Sequence, residues 1–294
     1  MTMHYPVEVT RRLKEFIYIS PYNVSDAVTS LRQYSKEAEL MSGGTDIVPL
    51  MKKGKLAPKY IIGLNKIREL DYLRTEDDTL KIGALTTVAA IEQSDIIKEN
   101  CFSLFEAAKV FATPQIRNMA TIGGNICRSS PSADLVCALI SFDSQVKLVG
   151  EKSERTVLLE DFFTGPGTNV LDREVLTEII IPLSKKPFGC AFQKMTRSSS
   201  DIAKINCAVK IHMADDRCDD IRIVLGAVAS RPIRGRNAEN VLRGERLTDE
   251  VLTKAGDMVC KDIFPIDDVR STAVCRTDIA EVLVKRLVAL SILR

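Results

Sequence analysis

The sequence predicts an α+β protein with mixed sheets, divided into two domains near residues 180–190. Three observations lead there. Short β-branched runs alternate with helical stretches through the N-terminal part of the chain. Longer strands with alternating or continuous apolar residues follow, in "EVLTEIIIPLS" and "CAFQKMTRSSSDIAKINCAVKIHMADDRCDDIRIVLGAVASRPIRG". From about Asn237 the pattern turns helical, in "AENVLRGERLTDEVLTKAGDMVC" and "RTDIAEVLVKRLVALSIL". No repeat is evident, which excludes a solenoid.

Taken in order, "FIYISPYNVSDAVTSLRQYS" reads as a short strand, a proline turn and a helix capped by Asn23 or Ser25, with Ala27, Val28 and Leu31 as its apolar stripe. "AELMSGGTDIVPLMKKG" is a strand running into a Gly-Gly turn and a short helix. "KYIIGLNKIREL" and "LKIGALTTVAAIEQS" repeat a β-branched run, a break and a helix. "CFSLFEAAKVFATPQIRNMATIGGNI" reads as a helix stopped near Pro114, with a second glycine pair beyond it at the end of a hydrophobic strand. "QVKLVGEKSERTVLLEDFFTG" is a hairpin leading into a turn or short helix.

Composition narrows the function. The 294 residues are 45% hydrophobic and 27% charged, ordinary for a globular protein able to bury more than one core. With 41 basic and 39 acidic residues the net charge is +2, and no basic stripe marks nucleic acid as a partner. No stretch approaches the ~20 apolar residues of a membrane span, and the N-terminus lacks the apolar region of a signal peptide. A cytoplasmic protein is expected. The eight cysteines are scattered without any C-x-x-C, so neither a zinc site nor an iron–sulfur cluster is expected in this chain, and no metal ligands are assigned.

The glycine pairs, Gly43–Gly44 and Gly123–Gly124, carry the chemistry. Backbone N–H groups can converge on an anion where no Cβ intervenes, and a following helix adds its dipole. Two such turns, flanked by Thr45, Asp46, Thr121 and Asn125, make a nest large enough for a pyrophosphate. The only histidines, His4 and His212, sit in no nucleophile motif, and no paired carboxylates stand out. Phosphate loops without acid–base machinery favour a cofactor that carries the reaction itself, and flavin fits.

The segments "LMSGGTDIVPLM", "TPQIRNMATIGGNICRSSPSADL", "EIIIPLS" and "FQKMTRSSSDIAKINCAV" resemble, in order and spacing, the FAD-binding subunit of the molybdenum hydroxylases, the medium-subunit family of xanthine dehydrogenase and carbon monoxide dehydrogenase. The likeness runs over roughly residues 14–290. "QIRN-x-AT-x-GGN" followed by "SP-x-AD" is its most specific part. The resemblance implies a vanillyl-alcohol-oxidase-type (PCMH-type) FAD-binding domain over residues 1–183, in two subdomains split near 70. A smaller C-terminal domain of antiparallel sheet plus helices would occupy residues 184–294.

It also implies roles for particular residues. Leu40, Met41, Ser42, Gly43, Gly44, Thr45, Asp46 and Ile47 match the family's first diphosphate loop. Thr121, Ile122, Gly123, Gly124 and Asn125 match the second, which would grip the other side of the same diphosphate. Asp134 matches a carboxylate at the flavin end, whose alternative on local sequence alone is a helix N-cap. Phe111 matches an aromatic near the isoalloxazine, Leu176 a backbone position close to the cofactor, and Lys194 a lysine contacting FAD, where a cation stabilises the charge that reduction places on the ring. Asp201, in "TRSSSDIAK", is the acceptor-side residue to watch.

Members of this family pass electrons from [2Fe–2S] clusters of a small subunit to FAD and on to an external acceptor such as NAD. A large subunit carries the molybdopterin. The resemblance thus implies non-covalent FAD here, molybdopterin and [2Fe–2S] only in partner subunits, and a dimer of heterotrimers. The chain lacks the cysteine-bearing insertion of the 4-hydroxybenzoyl-CoA reductase branch. "CRSSPSADL" and the C-terminal helices favour the purine (xanthine) dehydrogenase type. The alternatives are a self-contained flavin-dependent oxidoreductase of the same superfamily and a non-enzymatic nucleotide-binding scaffold.

Overall fold

The computed structural model describes residues 13–294. Its first unit is a three-stranded parallel sheet, with Tyr60–Gly63 flanked by Ile17–Ile19 and Ala38–Met41. Parallel strands require crossovers: the helix Val24–Tyr34 lies in the connection between the two outer strands, and the helix Ile47–Lys52 in the connection from Ala38–Met41 to the central strand. Of the two cap candidates Asn23 is used: its Oδ1 accepts from Asp26 N at 2.8 Å. Ala27 and Val28 of this helix pack with Ile62, Ile67 and Leu70. The helix expected within "NKIREL" is only a 3₁₀ turn, Arg68–Leu70.

Next comes a five-stranded antiparallel sheet in the order Leu73–Glu76, Thr79–Gly83, Val175–Pro182, Gln145–Val149, Glu154–Leu158. The central strand buries Ile179 and Ile181 completely, as expected for the most apolar run. Several short helices connect its halves. The helix Phe102–Lys109 ends before Pro114, and Pro114 opens rather than stops a helix, at the first position of Pro114–Arg117 behind its cap Thr113. Proline tolerates that position because its missing N–H would be unpaired there anyway.

A four-stranded antiparallel sheet follows: Gly189–Met195, Ile205–Ala214, Arg217–Gly226 and Ile233–Arg234. The alternation of these strands serves two cores. Ala191, Cys207, Val209 and Ile211 face the helices Arg236–Leu242, Asp249–Val259 and Ala273–Ile292. Cys190, Phe192, Ala208 and Val224 face the other way, into the core that holds Leu104, Ala107, Leu135 and Leu139. The sheet is therefore buried on both faces.

Candidate functional site

The strand Ala38–Met41 delivers the first glycine pair, and the helix Ile47–Lys52 carries the chain away from it. Gly43 sits so close to the Met119 carbonyl that a Cβ there would lie 1.7 Å from its oxygen. Gly44 has φ +71°, a conformation open to glycine at little cost. Among the described residues, the amides of Gly43, Gly44, Thr45 and Asp46 donate no hydrogen bond, so four N–H groups stand available on this loop.

The second pair lies within the first turn of the helix Ile122–Cys127, not at the end of a strand as the sequence suggested. Thr121 is its N-cap, with Oγ1 accepting from Gly124 N at 3.1 Å. The same hydroxyl donates to Ser42 Oγ at 2.9 Å, tying the two loops together across 79 positions of sequence. A Cβ on Gly124 would come within 2.7 Å of Ser42 Oγ, so the contact requires glycine.

The backbone of this second loop is largely engaged within the fold. Ile122 N donates to Thr86 O at 3.0 Å, Gly123 N to Ala84 O at 2.9 Å and Asn125 N to Thr121 O at 2.9 Å. With Gly124 N on Thr121 Oγ1, all four amides are engaged by the fold. Beyond the Thr121 amide, which donates no hydrogen bond, this loop offers a ligand side chains: the Thr121 hydroxyl and Asn125, whose Oδ1 is buried without a partner. A buried acceptor of that kind calls for a donor.

Both loops line one cavity of about 680 Å³, within the about 300–1,000 Å³ usual for small-molecule sites. Phe111, Leu176, Ala84, Arg128 and Arg173 complete its wall. Four free amides, an orphan acceptor and an apolar wall suit a dinucleotide with an anionic middle and an aromatic end.

Residues 12–184 match the family described as "FAD binding domain in molybdopterin dehydrogenase". Residues 190–290 match "CO dehydrogenase flavoprotein C-terminal domain". The medium chain of carbon monoxide dehydrogenase from Hydrogenophaga pseudoflava is 34% identical over 272 residues, covering 92% of this chain and 95% of that one. The chain belongs to the FAD-binding medium subunits of the molybdenum hydroxylase family. A solved carbon monoxide dehydrogenase structure from the same organism superposes with a TM-score of 0.93 at 34% identity, covering 95% of this chain and 98% of its own. The xanthine dehydrogenase FAD-binding subunit of Escherichia coli O157:H7 is 28% identical, over 90% of this chain and 92% of its own. The expected fold class holds: an FAD-binding domain followed by a flavoprotein C-terminal domain. The chain is an oxidoreductase subunit whose own cofactor is FAD.

Within this flavoprotein subunit, Leu40, Ser42, Gly43, Gly44, Thr45, Asp46, Ile47, Phe111, Thr121, Gly123, Gly124, Asn125 and Leu176 all line the cavity. Met41 and Ile122 do not. Ile122 is wholly buried in the core beside Ala84 and Ile126, and Met41 packs beneath Gly44.

Asp134 and Lys194 also lie outside the lining, joined to each other. Lys194 Nζ donates to Asp134 Oδ2 at 2.9 Å and to Asp201 O at 3.2 Å. Asp134 Oδ1 accepts from Asn206 Nδ2 at 2.6 Å, and Asn206 Oδ1 accepts from Cys137 Sγ at 3.1 Å. Asp134 opens the helix Asp134–Ser141 as its first residue, and Ala133 is the cap residue, so Asp134 is not the N-cap. A buried carboxylate and ammonium must pair, and here the pair joins the FAD-binding domain to the C-terminal sheet. Burial pushes the Asp134 carboxyl up, while Lys194 and Asn206 pull it down.

Asp201 is half-buried outside the lining, its carboxylate accepting from Arg197 Nε at 3.0 Å and Ile202 N at 2.9 Å. The Arg197 hydrogen bond leads the causes that lower its pKa. His212 lies on the C-terminal sheet with Nδ1 2.9 Å from Pro187 O, and His4 lies outside the described residues.

Among the cavity residues that escaped the sequence reading are two arginines, Arg128 and Arg173. Arg128 follows Gly124 by four positions, one helical turn along the same face. Taking the glycine pair as a strand end hid that relation. Arg173 sits in a turn with φ +55°, and no local pattern marks it.

Proposed function

We propose that this subunit holds FAD non-covalently between the two glycine loops and relays electrons from [2Fe–2S] clusters of a small partner subunit to an external acceptor such as NAD. A large partner subunit carries the molybdopterin. The single observation that carries this reading is the meeting of two distant glycine loops, bridged by Thr121 and Ser42, over one cavity.

When bound, FAD supplies the redox chemistry, since a flavin exchanges electrons singly or in pairs. The chain's own residues bind and orient it. The free amides of the first loop face the diphosphate, Asn125 Oδ1 accepts from a cofactor donor, and Phe111 and Leu176 form the apolar wall for the ring. In this reading Lys194, fixed by Asp134, serves the flavin side and Asp201 the acceptor side. The domain division at 183/184, the split near 70, a cytoplasmic location and a dimer of heterotrimers complete the proposal. Among the described residues, no helix is long and apolar enough to cross a membrane.

The relatives' names, carbon monoxide dehydrogenase and xanthine dehydrogenase, differ in substrate while their flavin chains share this architecture, which supports substrate recognition on another chain. The purine type remains the sequence-based proposal, and the 34% match to the carbon monoxide enzyme against 28% to the xanthine enzyme weighs against it. The test compares the isolated FAD-loaded chain with the assembly containing both partners. Turnover of an organic donor is expected only with the assembly. Turnover by the isolated chain would establish the self-contained oxidoreductase instead.

A further inference from the structure

The second glycine loop has its amides from Ile122 to Asn125 engaged within the fold, and one of the first loop's side chains, Asp46, is itself a carboxylate on the cavity wall. A dianionic diphosphate beside that carboxylate needs a cation. Arg128 meets the need. Its backbone continues the glycine-opened helix, with Arg128 N donating to Gly124 O at 3.0 Å. The neighbouring Ser129 carbonyl accepts from Gly167 N at 2.9 Å, closing a hairpin tip against which the Arg128 guanidinium rests. From there Arg128 Nε reaches Asp46 Oδ1 at 3.5 Å, spanning the two loops.

We propose that Arg128 is the cationic ligand of the cofactor's diphosphate, and that Asp46 positions it at the cavity. This rests on the FAD reading of that cavity. The magnitudes favour exchange of partner. Both side chains of the Arg128–Asp46 pair are about half exposed, at 42% and 58%, and a solvated pair at 3.5 Å binds weakly. A phosphate offers the guanidinium bidentate, charge-assisted bonds in a partly enclosed site, which are stronger. Asp46 then screens the charge of Arg128 in the empty site and orients it for the ligand.

The test uses the full-length apo chain, titrated with FAD and separately with ADP, which carries the diphosphate without the flavin. Arg128→Gln is expected to weaken both ligands by about 10- to 100-fold, the range for bonds to a charged group, and to flatten the salt dependence. Arg128→Lys should fall between. Asp46→Asn added to Arg128→Gln should recover affinity, because it removes an uncompensated negative charge. A purely structural role for Arg128 gives no such rescue. Circular dichroism of the apo variants should match wild type, since Arg128 is half exposed. Unchanged FAD and ADP affinities in Arg128→Gln would overturn the assignment, as would a loss confined to FAD. Failure of the double variant to recover would overturn the charge opposition between Asp46 and the diphosphate, from which the need for Arg128 is argued. Wild-type chain that takes up neither ligand would overturn the FAD reading itself.

Discussion

Lys194 and Asp134 are a buried ion pair, with side-chain exposures of 5% and 7%, so removing one partner leaves a charge stranded. Lys194→Met is expected to cost about 3–5 kcal/mol near neutral pH. The sign with pH follows from burial, which raises the Asp134 carboxyl above its ordinary 3.8. A carboxyl raised on folding contributes stability that is complete below its unfolded pKa and lost as pH rises through the folded one. Without Lys194 the rise is larger, so the variant's deficit should be greatest at neutral pH and shrink on acidification. Urea unfolding over a pH series measures it, and a pH-independent deficit would contradict the pairing. Gly43→Ala is the complementary residue-scale case. Its Cβ would meet the Met119 carbonyl, and a loss of about 1–3 kcal/mol in melting experiments, together with impaired FAD uptake, is expected. Both glycine pairs were visible in the sequence because glycine has few other reasons to recur beside Thr and Asn. The Asp134–Lys194 pairing was not, since nothing local joins residues 60 apart.

At the scale of elements, the helix Ile122–Cys127 decides how the second loop works. Thr121→Val removes both its N-cap and the bond to Ser42, and should cost about 1–2 kcal/mol. Ser42→Ala removes the bridge alone and should cost less, with FAD affinity reduced in both. Equal stability losses for the two variants, read by thermal melts, would show that the cap contributes nothing. The short helix was misread because the β-branched pair Thr121–Ile122 precedes two glycines, which disfavour helix and strand alike. Its cap is a single threonine whose role appears only when Gly124 N turns back on it. Pro114 misled in the same direction, since proline both ends helices and begins them. By contrast, the long C-terminal strands were legible from alternation, because each face meets its own core.

For the whole molecule, burial of the four-stranded sheet between two cores makes the lobes interdependent. Phe192, Ala208 and Val224 belong to the core of the FAD-binding domain although they lie in the C-terminal sheet. One cooperative thermal transition is therefore expected, and two separated transitions in calorimetry would contradict that dependence. The textural change near residues 180–190 was readable in the sequence, but the shared core was not, because it forms between segments that only the tertiary fold brings together. Saturating FAD should raise the transition, by about 2.7 kcal/mol at a hundredfold excess over Kd. The central claim, that two distant glycine loops close on one dinucleotide, is tested most directly by titrating the apo chain with FAD while following flavin absorption. One FAD per chain, displaced by ADP and released intact on denaturation, is the predicted result. No saturable uptake, or uptake indifferent to ADP, would contradict it.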